Sequence, residues 1–199
     1  MCTRTPGGPR QVLASALRID LRILELELLL QFIGAIRPTL PRISPRKSVT
    51  AKLDTESWRA HLLDTPKQIR ELLENTHRIA VLGIKPDPQQ PAYYVPEYAQ
   101  QAGYEIVPVP VYYKELTEML GLKVYRKLTE IPGDIDMVNV FRRPVDIPPH
   151  VDDIIAKKPK SVWFQLGIRN DEAAEKLARA GIDVVQDHCL LVELRRIGK

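Results

Sequence analysis

Apolar residues follow two rhythms along this chain. From residue 53 onward, short unbroken apolar runs alternate with longer stretches in which apolar positions recur every three or four residues. The runs are 79–84 (IAVLGI), 105–109 (EIVPV), 135–141 (IDMVNVF), 161–166 (SVWFQL) and 182–185 (IDVV). Runs of this length without strict alternation predict strands covered on both faces, the habit of parallel sheets. The stretches between them predict helices. One starts at Thr65-Pro66 and runs through Ile69, Leu72 and Leu73; another spans 93–102 and stops at Gly103. A third, over 148–157, opens on proline. A fourth, over 171–180, is capped by Asn170 and ended by Gly181; a short last one covers 190–197. Asp54-Thr55-Glu56 before Trp58, Leu62 and Leu63 predicts one more helix start. The mixed segment 116–128 predicts a loop with a short helix, and the prolines at 108 and 110 predict that the second strand gives way early to a loop.

Strands alternating with helices predict an α/β class: a doubly wound, five-stranded parallel sheet with helices on both faces. Such sheets bind ligands beyond the carboxyl ends of their strands. The segments that follow each strand are therefore where chemistry is expected. After the first strand, Gly83-Ile84-Lys85-Pro86 offers a glycine turn, a cation and a following helix N-terminus, all suited to a phosphate. It is neither Gly-x-Gly-x-x-Gly nor a P-loop. The second strand ends at Val109-Pro110, with no acid to hold a ribose. After the third, Phe141-Arg142-Arg143-Pro144 places two guanidinium groups where they can grip phosphate in a planar fork. Surface charges near Asp146 are the plainer reading of that pair. After the fourth, Gln165 is a polar end to an apolar strand; Gly167 and Ile168 follow, and Asn170 reads as a helix cap. After the fifth comes Asp187-His188-Cys189. Adjacent Cys and His point to opposite sides of an extended chain, so they make no ready nucleophile–base pair. No catalytic residue is assigned. The remaining histidines have no metal-ligand spacing, and Cys2 and Cys189 cannot supply a disulfide framework.

Charge changes the picture of the first quarter only. The net charge is +4 over 199 residues. Residues 1–48 hold eight Arg/Lys and three acids, whereas the other 151 residues hold 21 basic and 22 acidic side chains. The basic excess is thus not that of a nucleic-acid-binding face on the folded part. Residues 1–48 are expected to form an N-terminal extension, poorly ordered or with one loose helix, and 49–199 the folded domain. An amphipathic partner-binding helix and an Arg-rich targeting segment are the other readings of the extension. Its Leu-rich run is broken by Arg18, Asp20, Arg22, Glu25 and Glu27, which argues against a transmembrane span. A cytoplasmic location is expected.

Six blocks in order carry a family resemblance: 79–86 (IAVLGIKP), 91–95 (PAYYV), 103–109 (GYEIVPV), 136–144 (DMVNVFRRP), 163–170 (WFQLGIRN) and 184–189 (VVQDHC). Together they closely resemble the small stand-alone CoA-binding proteins. These are single Rossmann-like domains, similar to the CoA-binding domain of the succinyl-CoA synthetase α subunit. The resemblance covers roughly 55–197 and not the extension. It implies coenzyme A or an acyl-CoA lying across the strand ends. By motif, Gly83, Ile84, Lys85 and Pro86 would lie near the phosphates, Tyr94 before the first helix, and Val109 and Pro110 on the adenine side. Phe141, Arg142, Arg143 and Pro144 would form the third strand end, and Gln165, Gly167, Ile168 and Asn170 the fourth. Cys189 matches the family's Asp-Arg-Cys block. The chain departs from that pattern in three places. Lys85 stands where many relatives carry Ser or another small residue, Pro110-Val111-Tyr112 where they often have Asn-Pro-Lys, and His188 where they have Arg. Lys85 is expected to supply the positive charge that Tyr112 does not. The resemblance implies a binding or regulatory module rather than a ligase; a protein partner or homo-oligomer is left open. The alternative is an NAD(P)- or other nucleotide-binding enzyme.

Overall fold

The computed structural model describes residues 56–199. The expected extension, residues 1–48, and the start of the first predicted helix lie outside the described residues. A 3-10 turn, Ser57–His61, opens the described part. In chain order there follow α1 (Pro66–Glu74), β1 (Arg78–Leu82), α2 (Pro91–Gln101), β2 (Glu105–Val109), β3 (Glu118–Met119) and β4 (Leu122–Lys123). Then come β5 (Met137–Val140), α3 (Pro148–Lys157), β6 (Ser161–Phe164), α4 (Asp171–Arg179), β7 (Asp183–Val185) and α5 (Leu190–Arg196).

The main sheet has five parallel strands in the order β2-β1-β5-β6-β7. Alternate residues of each strand feed two cores. On one face Ala80, Leu82, Val138, Val140, Val162 and Phe164 meet Val151 and Ile154 of α3 and Ala174 and Leu177 of α4. On the other, Ile79, Val81, Met137 and Trp163 meet Ile69 and Leu73 of α1, Val95 and Ala99 of α2, and Leu190 and Leu194 of α5. This double burial explains why the strands read as continuous apolar runs. It also fixes the class as a Rossmann-like doubly wound α/β fold. From β1 the chain steps outward to β2, then returns past β1 to β5 and walks outward the other way. The reversal leaves a crevice at the carboxyl ends of β1 and β5, the switch point of the sheet.

One expectation needs correction. The segment 116–128 holds no α-helix. It forms the antiparallel hairpin β3–β4, with Met119 opposite Leu122 and a two-residue turn at Leu120-Gly121. Both turn residues have positive φ, 55° and 71°, the requirement of the tight turn whose twist suits a hairpin. The second strand has the expected bounds, Glu105–Val109, and gives way to a loop at Pro110. Pro108 sits within β2, where its carbonyl accepts the Tyr125 N–H at 3.0 Å on the side away from β1. A residue's N–H and C=O point the same way in a strand. The N–H that proline lacks would therefore face outward, and no bond to β1 is lost. Among the described residues no helix is long and apolar enough to cross a membrane.

Candidate functional site

The switch point is built around one glycine. The Phe141 N–H donates to the Leu82 carbonyl and the Gly83 N–H to the Val109 carbonyl, each at 2.9 Å, so the end of β1 is pinned on both sides. Gly83 has φ +88°, and a Cβ placed on it would stand 2.6 Å from the Phe141 carbonyl oxygen. Only glycine lets the β1 and β5 ends come this close. Beyond it Ile84 is buried in the core, and the Lys85 N–H reaches the Ala92 carbonyl at 3.3 Å. Asp87 shapes the turn into α2, accepting the Gln89 N–H and the Gln90 side-chain amide, each at 3.0 Å. The Gln89 N–H and then the Gln90 amide hold its carboxyl below the usual carboxylate range. Helix α2 begins at Pro91, two residues before its predicted start, and Gln90 makes no side-chain capping bond there.

Between this turn and the ends of β5 and β6 lies a cleft of about 430 Å³. Of the residues expected at a site, Lys85 and Tyr94 line it from one side and Phe141, Arg142, Arg143 and Pro144 from the second. Gln165, Gly167 and Ile168 line it from the end of β6, and Cys189 from the start of α5. Gly83 and Ile84 lie beneath it, and Pro86 is exposed in the turn beyond. Val109 faces the α3 side of the core, and Pro110 is buried beside it. Asn170 caps α4, its Oδ1 accepting the Ala173 N–H at 2.9 Å and its Nδ2 donating to the Pro144 carbonyl at 2.8 Å. Its side chain fastens two loops of the cleft together. The cleft also has walls that the sequence pattern did not single out: Gln90, Pro91 and Ala92 from the first turn of α2, Val95, and Leu166, which is 67% exposed. Proline at a first helical position was the available signal for the earlier start of α2.

The cations of the cleft are differently held. Arg142 leaves only 11% of its side chain exposed, 3.7 Å from Asp146, and its guanidinium lies 5.0 Å over the Tyr112 ring. Its Nε is buried with no hydrogen-bond partner among the described residues. Arg143 is exposed and forks onto Asp146, Nε to Oδ2 at 2.7 Å and Nη2 to Oδ1 at 3.3 Å. The hydrogen bond from Arg143 holds the Asp146 carboxyl low; burial opposes it, and the charges of Arg143 and Arg142 reinforce it. Two guanidinium groups share one carboxylate, so a positive charge is left at the mouth. Lys85 lines the same cleft and adds to it, its charge felt by Asp87 in the turn beyond.

Gln165 has a structural explanation that the sequence did not supply. It is 4% exposed; its Nε2 donates to Asn139 Oδ1 at 2.9 Å and its Oε1 accepts the Leu190 N–H at 3.3 Å. It thus ties β5, β6 and the first turn of α5 together under the cleft. The Trp163 indole donates to the His188 carbonyl at 2.8 Å and Asp187 Oδ1 accepts the Gly167 N–H at 2.6 Å, which fixes the loop carrying Cys189. The His188 ring sits edge-on to Trp163 and 3.4 Å from Glu193. Cys189 alone of the two faces the cleft, as a free thiol, so the adjacent pair forms no dyad.

His150, in the first turn of α3, is half-buried. Burial lowers its pKa from 6.5, the Arg142 guanidinium lowers it further, and Asp153 and Asp146 pull more weakly upward. The unfolded chain therefore binds more protons than the native one around and somewhat below pH 6.5, and stability falls as pH drops through that window. His150→Gln is expected to flatten this part of the stability profile. Urea unfolding at pH 7.5 and pH 5.5 checks it; an unchanged difference between the two would refute it.

Residues 77–195 match the family model described as CoA binding domain. The chain is 38% identical over 125 residues to the uncharacterized protein YneT of Bacillus subtilis strain 168, covering 63% of this chain and 90% of that one. Among solved structures, a Thermus thermophilus protein is 36% identical with a TM-score of 0.63, over 67% of this chain and 99% of that one. A hypothetical protein from Pyrococcus horikoshii OT3 is 34% identical with a TM-score of 0.63, over 67% and 92%. The matched span runs from the entry to β1 into α5 and includes every wall of the cleft, and on it the chain belongs to the CoA binding domain family.

Proposed function

We propose that the cleft binds coenzyme A or an acyl-CoA, as a binding or regulatory module without catalysis of its own. The observation that carries this reading is the placement of Arg142, with its unpartnered Nε, directly beside the Gly83 turn at the switch point. A pyrophosphate set there meets a buried guanidinium, Lys85 and the positive end of α2. Phe141, Val95 and Ile168 offer apolar surface to the pantetheine arm, which has little charge to satisfy. The non-catalytic reading rests on what faces the ligand: Cys189 lines the cleft and the adjacent His188 does not, and the carboxylate nearest the arginines is engaged by them. A nicotinamide dinucleotide fits less well, because β2 ends in Val109-Pro110-Val111 with no acid for the ribose.

Isothermal titration with CoA, acetyl-CoA, longer acyl-CoAs, NAD and NADP tests this. Saturable binding of CoA or an acyl-CoA, tighter than either dinucleotide, is expected. Absence of binding by every CoA compound, or tighter binding of NAD or NADP, would overturn it.

A further inference from the structure

Under the β6 end of the cleft, two side-chain amides are oriented by one backbone group. The Leu190 N–H can only donate, so the Gln165 atom that faces it at 3.3 Å is the oxygen. The Gln165 Nε2 then faces Asn139, and the Asn139 atom that meets it at 2.9 Å has to be Oδ1. The Asn139 Nδ2 is thereby turned away from Gln165, and it has no hydrogen-bond partner among the described residues. Asn139 is fully buried and Gln165 nearly so. Each oxygen of the pair accepts a bond, yet a single one of their amide hydrogens is spoken for among the described residues. Buried N–H groups without an acceptor are the costlier deficit, since a carbonyl oxygen tolerates an unused lone pair. The pair is therefore short of acceptors. Of the two, Gln165 lines the cleft. What it can take from there is an oxygen.

The residue after this donor is apolar and displayed. Leu166 is 67% exposed, although the turn that carries it is tightly held. The Ile168 N–H donates to the Gln165 carbonyl at 2.8 Å, the Gly167 N–H to Asp187 Oδ1 at 2.6 Å, and the Asp187 N–H to the Ile168 carbonyl at 3.2 Å. The exposure of Leu166 is thus built into the turn. Tyr94, 41% exposed, adds a second large apolar surface to the same cleft. Two such side chains in one cleft are more than the single exposed apolar residues scattered over any surface. In the sheet order β1-β5-β6, this end lies across β5 from the Gly83 turn, so it receives the far end of a ligand whose pyrophosphate sits at that turn.

We propose that the cleft selects an acyl-CoA over free CoA: the Gln165 Nε2 donates to the thioester carbonyl, and Leu166 and Tyr94 cover the first carbons of the acyl chain. The inference rests on the reading of the cleft as the CoA site. A donor followed at once by an apolar side chain complements a carbonyl followed by hydrocarbon, the order of groups at a thioester. A pantetheine amide would bring an N–H beside its carbonyl, and hydrogens are what this end already has in excess. A thioester brings an acceptor alone. Gln165 is then a specificity-determining residue, and Asn139 positions it.

The test is calorimetry on the full chain with matched ligands. S-ethyl-CoA keeps the size of acetyl-CoA and both pantetheine amides, and lacks only the thioester carbonyl oxygen. One neutral hydrogen bond predicts acetyl-CoA about 3- to 10-fold tighter than S-ethyl-CoA, against the order that apolarity alone would give. Butyryl-CoA, with two further methylenes partly covered, should bind about 3- to 10-fold tighter than acetyl-CoA. Leu166→Ser should cut that second ratio to about twofold or less. Gln165→Glu keeps an acceptor for Leu190 and turns the donor into an oxygen, which Asn139 can meet by reversing its own amide. Acetyl-CoA should lose its advantage over S-ethyl-CoA in that variant. The wild-type pair and Leu166→Ser decide the question even where Gln165→Glu unfolds. S-ethyl-CoA bound as tightly as acetyl-CoA, or a butyryl-to-acetyl ratio unmoved by Leu166→Ser, overturns this inference and, with CoA still bound, leaves the CoA reading standing. Binding of none of these compounds overturns both.

Discussion

Replacing Gly83 by alanine is expected to lower the unfolding free energy by about 2–4 kcal/mol and to abolish tight ligand binding. Two effects combine at this position. A non-glycine residue in the left-handed region costs roughly 1–2 kcal/mol. The added methyl would also stand 2.6 Å from the Phe141 carbonyl oxygen and 3.0 Å from the Arg142 side chain. The carbonyl belongs to the strand-end backbone and cannot swing aside like a side-chain tip. Relief requires β1 and β5 to part, at a further cost of about 1–2 kcal/mol. Gly103 gives the matched control. Its φ is +92°, and a Cβ there meets nothing within 4 Å. Gly103→Ala should therefore show the backbone term alone. Urea unfolding of the two variants, with CoA titration of each, checks the prediction. Equal destabilisation by both would refute the role given to the close approach of the strands.

The second large effect is expected at Arg142. Arg142→Gln should weaken CoA binding about 10- to 100-fold, the worth of one buried charge-assisted contact of about 1.5–3 kcal/mol. Arg143→Gln should weaken it by no more than about fivefold, since exposed ion pairs are worth about 1 kcal/mol or less. The difference follows from their settings. Arg142 has an unpartnered buried Nε, whereas both bonding nitrogens of Arg143 already engage Asp146. Arg142→Lys separates charge from shape: it keeps the cation and removes the planar fork. Calorimetry at two ionic strengths checks the series, with melting temperatures to register any weakening of the packing on Tyr112. A change below about twofold for Arg142→Gln would remove Arg142 from the site.

The parts of this structure that were legible in the sequence are those fixed by local pattern. Val81, Val138 and Val162 lie in strands buried on both faces, so their runs stand out without any knowledge of partners. Asn170 caps a helix through a bond to the amide three residues on, and the sequence shows such a cap directly. The hairpin at 118–123 was not legible. Its strands are two residues long, and its turn puts Leu120 at φ 55°, where Asn or Gly would have announced it. Gln165 stood out as an anomaly, but its partners, Asn139 and the Leu190 N–H, are 26 and 25 residues away.

The outermost strands bear on how copies of this domain can meet. On one side, Pro108 has no N–H to offer a neighbour, and its carbonyl is taken by Tyr125. On the other, the Leu63 N–H occupies the Val184 carbonyl at 2.9 Å, and Leu62 bridges to Val184. Each flank of the sheet is therefore closed by its own chain at the places where strand addition would start. Strand addition at Pro108 or Val184 would have to displace a contact that the chain makes with itself.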